Sequence, residues 1–382
     1  MENIEELIYA CWLDTICWLT SKAKYKLLKI AGSTKAVYDM TQEQVTTLVG
    51  VKAGERFLQQ KRIEPEKLWE NIVELGIQYT YCSARDFPRK LSHIPDPPFG
   101  IFYKGELPDP SIPAMAIIGA RNCSEYGRYM AQQFASFFAT YKINIISGMA
   151  LGIDGVSQQA ALKAGGQSYA VLGCGVDVIY PKENMFLYRQ LIENGGILSE
   201  YPPKMEPRPA LFPPRNRIIS ALSDVVLVVE ASQKSGTLIT VDMALEQGRE
   251  VYAVPGRCMD KLSKGCNQLL RQGAGVAVEP EELLHDMQWE HLKDTLSVEK
   301  SFNQTICEKR ILSTTAKEVY QILDILPTTQ NTIIERLRKQ GSVCNVSQIY
   351  SSLVELELKG FVVCRNGQYS LSGTTLSDSS QQ

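Results

Sequence analysis

The chain has 382 residues, 44% of them apolar, and its 40 Lys and Arg nearly balance 42 Asp and Glu. That length predicts two or three domains with real cores. The charge balance excludes a chain that grips polyanions by bulk charge, so any nucleic-acid site has to be a local patch. The first residues, MENIEELIYACW, lack a basic signal-peptide region, and no apolar run approaches the roughly 18 residues of a membrane span. Ten cysteines occur without a C-x-x-C pair, and the three histidines (His93, His285, His291) are isolated from one another. Reduced thiols in a cytoplasmic protein follow, with no disulfide frame, metal site, cofactor or histidine triad expected.

Taken in chain order, residues 1–80 are helical in pattern, with Leu7, Ile8, Cys11 and Trp12 and then Leu27, Leu28 and Ile30 at helical spacing. LVGVKAGERF sets Gly50 and Gly54 between two helical runs and predicts a short helical hairpin. It serves either as a packing turn or as a source of N–H groups for a phosphate. Residues 84–110 are proline-rich yet carry Leu91, Ile94, Phe99 and Phe102, which predicts an ordered strap with a turn at Asp96-Pro97-Pro98. Strap and main domain together span 81–287. From about 114 the strands AMAIIG, INIIS, SYAVLG, GILSE, DVVLVVEA, EVYAV and AGVAV alternate with helical patterns. Strands so apolar are buried on both faces, which requires a mostly parallel, doubly wound, Rossmann-like α/β sheet covered by helices. A polar linker is expected over 288–313. Helical runs at 316–325, 330–339 and 346–359 then precede two short strands about Asn366-Gly367, a type I′ turn signal. Three helices and a hairpin predict a winged helix over 314–372, and the tail 373–382 is predicted to be disordered.

In an open α/β sheet ligands bind beyond the carboxyl ends of the strands, where the strand order reverses. The first such loop, in IIGARNCSEYG, breaks the dinucleotide fingerprint because Arg121 stands where its second glycine should be. The end of the second strand holds Ser147-Gly148, with no carboxylate for a ribose. The candidate ligand is therefore phosphate, held by loop N–H groups, hydroxyls and cations. The candidate residues are Gly119, Arg121, Ser124, Ser147, Gly148, Lys182, Arg215, Asn216, Arg217, Ser235, Gly236 and Thr237, with Phe186 as a base-stacking platform. Four converging cations suit several phosphates, and about four contacts imply a salt slope of roughly −3 for single strands. The competing structural role is pairing of these arginines with Glu200, Asp224 or Glu230, one of Arg215 and Arg217 tying a helix to the sheet.

The segments DFPRKLSHIPDPP, IIGARNCSEYG, SGMALGIDG, GCGVDVIYPKEN, LSEYPP, FPPRNRIISALSD, VVEASQKSGTLIT and AVPGR…GCNQLLRQGA, in that order, resemble the DNA-processing protein A (DprA/Smf) family along nearly the whole chain. The resemblance implies a sterile-alpha-motif-like or helix-hairpin-helix domain, an extended Rossmann fold and a winged helix. It implies single-stranded DNA binding and loading of the recombinase RecA in natural transformation, without turnover chemistry. Arg121 and Lys182 match the positions that line the family's DNA pocket. A homodimer is implied through about 255–284, where Leu269, Leu270 and Val276 are candidate contacts overlapping the RecA surface; the competing role of both leucines is to face the sheet. One departure stands out. The third helix of the C-terminal domain carries Glu355 and Glu357, and residues 314–372 hold six Lys or Arg against five Asp or Glu. A duplex-reading helix should be basic, so protein contact competes with DNA reading there.

Two other readings stay in view. Rossmann-like phosphoribohydrolases of nucleoside monophosphates share such a crevice, but Leu238, Ile239 and Thr240 follow Ser235-Gly236-Thr237 where their carboxylates should stand. Asp154, Asp177 and Glu230 remain as possible acids. A transcription factor would lean on the winged helix alone.

Overall fold

The computed structural model describes residues 4–293, 313–323, 327–339, 342, 344–365 and 367–371. It begins with α1 (Ile4–Asp14), α2 (Ser21–Ala31), α3 (Thr34–Asp39), α4 (Gln42–Val49), α5 (Val51–Gln60) and α6 (Pro65–Glu74). Local chemistry sets their ends. Thr20 caps α2 by accepting from Ala23 N, Gly32 closes it at φ 83°, and Thr41 and Gln44 form a capping box on α4. Gly50, at φ 99°, separates α4 from α5. Gly54 does not belong to the turn as expected from sequence: it lies inside α5, where any Cβ would strike the Thr46 hydroxyl. Its small size lets the two helices touch.

Next come β1 (Gln78–Tyr81), α7 (Arg89–Ser92), β2 (Gly100–Gly105), β3 (Ala114–Gly119), α8 (Glu125–Thr140), β4 (Asn144–Ser147), α9 (Ile153–Lys163) and β5 (Ser168–Val171). Then follow α10 (Met185–Glu193), β6 (Gly195–Ser199), α11 (Phe212–Leu222), β7 (Val225–Glu230), α12 (Gly236–Glu246), β8 (Glu250–Ala253), α13 (Lys264–Arg271), β9 (Gly275–Val276) and α14 (Pro280–Asp286). They build one nine-stranded sheet in the order β1-β2-β6-β5-β4-β3-β7-β8-β9. Strands β3 to β9 are the seven apolar segments read from the sequence, and β6-β5-β4-β3-β7-β8-β9 are parallel throughout. The two antiparallel strands β1 and β2 were not foreseen. Part of the strap is thus a sheet strand, pairing with β6.

Apolar clusters cover both faces of the sheet, one around Ile118, Val226 and Val228, the other around Ile117, Phe134 and Leu227. A third cluster runs without interruption from Trp12, Leu27 and Phe57 through Tyr79 to Leu172 and Leu187, so the N-terminal helices and the sheet share a core. The domain border expected at residue 80 falls inside β1. Across it, the Tyr25 hydroxyl donates to the Pro98 carbonyl at 3.1 Å, and at the border itself Tyr79 donates to Asp14, the buried partner of Lys24, at 3.2 Å. At 288–293, where a linker is expected, the chain still packs on the sheet domain: Trp289 is buried against Phe138.

The C-terminal unit comprises α15 (Thr314–Ile322), β10 (Thr328–Thr329), α16 (Gln330–Lys339), α17 (Val346–Leu358), β11 (Val362–Arg365) and β12 (Gln368–Leu371). Its sheet is antiparallel in the order β10-β12-β11, over a core of Val319, Ile333, Leu353 and Phe361. Gly367 takes φ 74°; its expected turn partner Asn366 lies outside the described residues, as do the remainder of the linker and the tail. No described helix is long and apolar enough to cross a membrane.

Candidate nucleic-acid interface

The strand order reverses at β3, which lies between β4 and β7. Beyond its carboxyl end a crevice of about 420 Å³ opens, bounded by the loop after β3, the N-terminal turns of α11 and α12, and Tyr180. The first loop is propped from beneath. Gly152 lies at φ 77°, where a Cβ would overlap the carbonyls of Ala120 and Arg121, and the Ile153 N–H donates to the Ala120 carbonyl at 3.2 Å. Gly119 is likewise bare because a Cβ would come within 2.7 Å of the Ile153 side chain. These glycines serve close packing and so fix where the next side chain emerges.

That side chain is Arg121. It is exposed, lines the crevice, and holds its guanidinium 5.3 Å from the centre of the Phe212 ring. Tyr180, 40% exposed, has its ring 5.7 Å from that of Phe212. The three carboxylates expected from sequence as partners for the candidate arginines are each engaged away from Arg121. Glu200 holds Arg217, Asp224 holds Lys90 at 2.6 Å, and Glu230 accepts from the Ser124 N–H at 2.9 Å and from its hydroxyl.

The other arginines differ. Arg215 lines the crevice but is 4% exposed, with Nη1 donating to the carbonyls of Gly148 (3.0 Å) and Val171, and Nε to Asn216 Oδ1 at 3.2 Å. It clamps α11 to the ends of β4 and β5. Burial pushes its pKa down against the opposing pull of Asp154, and burial pushes the Asp154 carboxyl up against the pull of Arg215. Arg217 is not in the crevice. Its fork grips Glu200 at 2.9 and 2.6 Å, and Nε donates to the Asp96 carbonyl at 2.8 Å, pinning the strap to α11. Both arginines therefore tie the helix down, where the sequence left room for one.

Several hydroxyl and amide candidates are also committed to the fold. The Ser147 hydroxyl is buried and donates to the Ile117 carbonyl at 2.7 Å; the Gly148 N–H donates to Asp154 at 3.1 Å. Ser124 caps α8 through the Gly127 N–H at 3.1 Å while bonded to Glu230. Buried polar groups must be satisfied, and here the protein satisfies them itself. Ser235, Gly236, Thr237 and Asn216 do line the crevice, and no atom lies within 4 Å of where a Gly236 Cβ would be. Lys182 and Phe186 are exposed, Phe186 at 64%, on the turn and helix beyond Tyr180, outside the crevice lining. Asn184 ties that turn to the β4 loop through the Met149 carbonyl at 2.9 Å. Sequence reasoning kept Asp154 only as a possible acid, missed the Pro207–Pro209 segment as a crevice wall, and ranked Phe212 and Tyr180 below Phe186. The adjacency of Phe212 to Pro213-Pro214 at a helix start was the available signal. Among the described residues no group of His, Cys, Asp and Glu could hold a metal ion.

A doubly wound sheet with an exposed arginine beside aromatic rings in a crevice at its switch point defines a Rossmann-like protein. Residues 78–288 match the family model of DNA recombination-mediator protein A. The chain is 36% identical over 324 residues to protein Smf of Escherichia coli, covering 84% of each. It is 40% identical over 203 residues to DNA processing protein DprA of Streptococcus pneumoniae, covering 53% of this chain and 72% of that one. The solved Streptococcus pneumoniae DprA structure matches with TM-score 0.64 at 32% identity, covering 74% of this chain and 96% of its own. DNA processing protein A of Helicobacter pylori, solved for its single-stranded DNA binding mode, matches with TM-score 0.50 at 29% identity, covering 56% and 97%. The chain belongs to the DNA recombination-mediator protein A family.

Proposed function

We propose that this protein binds single-stranded DNA at the crevice and, as a homodimer, loads a RecA-type recombinase onto it in recombination or natural transformation. The observation that carries the reading is the exposed Arg121 guanidinium laid against Phe212, with Tyr180 beside it, at the switch point. Guanidinium meets phosphate, and neighbouring aromatic faces accept bases without regard to sequence. Lys182 and Phe186, exposed on the adjoining turn and helix, extend the track. Family membership and the Helicobacter pylori relative support the ligand class.

The salt dependence expected from four cations changes, because Arg215 and Arg217 are occupied. Of those four, Arg121 and Lys182 remain exposed, so through them log affinity should fall with log salt at a slope of about −1.4. Binding of labelled single-stranded and duplex oligonucleotides across a salt series tests this; equal affinity for duplex, or no salt dependence, would sink the reading. For the homodimer and recombinase contact, Leu269 is withdrawn as a candidate, since it is 8% exposed in the sheet core. Leu270 is half-buried, while Val276, 52% exposed on the edge strand β9, is the better candidate. Nucleotide hydrolysis is disfavoured because Ile239 and Thr240 line the crevice where carboxylates would be needed, and Asp154 is engaged by the Gly148 N–H. Release of free adenine from AMP would revive it.

A further inference from the structure

The outer face of α17 is built for a partner. Val346, Tyr350, Val354 and Leu358 recur every fourth residue and are 39, 39, 50 and 84% exposed. They form an apolar ridge about 18 Å long at 1.5 Å rise per residue. Beside it Ser347 and Ser351 leave a shallow groove, so that Val346, Ser347, Tyr350, Ser351 and Val354 line an open hollow of about 580 Å³. Side chains in i±4 rows make ridges, and helices pack by laying such ridges into each other's grooves. This face carries both a ridge and the groove to receive one.

Its charges are arranged to match. The N-terminal end carries the positive pole of the helix, where first-turn N–H groups lack helical acceptors. Asn345 takes one of these, that of Gln348, at 2.9 Å. At the other end Glu357 is exposed. Inverting one copy about the middle of the helix sets Val346 against Leu358, Tyr350 against Val354, and Ser347 against Glu357. Each acidic end then meets the other's positive end. A polyanion is unsuited to this face, because Glu357 is exposed there and the nearby Lys359 is spent on Glu355 at 2.7 Å.

We propose that the outer face of α17 is a self-association surface that takes the α17 of a second copy of this chain, packed antiparallel. It is separate from the crevice and from the β9 edge.

The test is the solution mass of the full-length chain by light scattering over a wide concentration range. Val354→Arg and Tyr350→Glu should each halve the mass at high concentration while leaving thermal melting and single-strand binding unchanged. The double variant should regain it, because each arginine then faces the partner's glutamate. Leu358→Glu, at the most exposed position, gives the same reading should either single variant fold poorly. The loss runs from tetramer to dimer if the β9 edge also dimerises, and from dimer to monomer if it does not, so the two interfaces are read separately. A mass indifferent to all these changes overturns the proposal, and so does a double variant that stays dissociated. Occupation of the face by duplex DNA or by another protein, with no self-association, overturns it as well.

Discussion

The rim and the floor of the crevice are made from the same residue types put to opposite uses. On the rim, Arg121 lies exposed over Phe212, and its candidate carboxylates are engaged elsewhere. On the floor, Arg215 is held by backbone carbonyls, and on the same helix, outside the crevice, Arg217 is held by Glu200. Ser147 and Ser124 are likewise spent on the fold. An arginine becomes a ligand group only when the protein withholds an internal acceptor from it. The floor, fully satisfied, is what keeps the rim rigid, and a preformed site loses less entropy on binding.

The largest expected effect would come from breaking the support of the helix that carries the floor. Arg217→Ala leaves Glu200 buried without its cation, and such losses cost about 3–5 kcal/mol. Thermal and urea unfolding should both shift strongly. Near-normal melting combined with lost DNA binding would erase the distinction drawn between the two regions.

Rim substitutions should do the reverse. Arg121→Ala removes a charge-assisted contact worth about 1.5–3 kcal/mol, or one to two decades of single-strand affinity, with the melting temperature unchanged. Arg121→Lys should recover only part of this because the planar fork is lost. Titration of labelled oligonucleotides beside a melting curve separates the outcomes, and wild-type affinity for Arg121→Ala would place the site elsewhere.

Ser124 sharpens the contrast further, since it sits three residues from Arg121 yet serves the fold. Ser124→Ala should lower stability by about 1 kcal/mol, the usual worth of a helix cap, and leave DNA affinity as it was. A selective loss of affinity would move Ser124 to the rim. The smallest effect is expected of Lys182→Ala, whose clearest signature is a salt slope shallower by about 0.7. An unchanged slope would show that Lys182 touches no phosphate.

The local patterns carried a great deal. Seven apolar runs alternating with helical stretches determined β3 to β9 and the doubly wound sheet, because strands buried on both faces need apolar side chains on both. The glycines after those strands located the edge at which the crevice opens. Arg121 at the place of a glycine pointed to the side chain that stands exposed in the crevice, and the acidic Glu355 and Glu357 of α17 were legible as well.

Only the tertiary structure decided which polar groups remained for a ligand. Arg215 and Arg217 are two residues apart on one helix, and what commits each of them lies far away in the chain: Gly148 and Val171 for one, Glu200 and Asp96 for the other. Strands β1 and β2 escaped notice for a related reason. Their pairing joins a helical segment's exit to a proline-rich strap; β1 carries Gln78 and Thr80 among its four residues, and the apolar run of β2 is only Ile101, Phe102 and Tyr103. Leu269 and Leu270 look alike in sequence, yet the turn of α13 buries one in the sheet and leaves the other at its margin. Periodicity reports which face of an element is apolar. Hydrogen-bond satisfaction depends on partners brought together by the fold, and no local pattern encodes those.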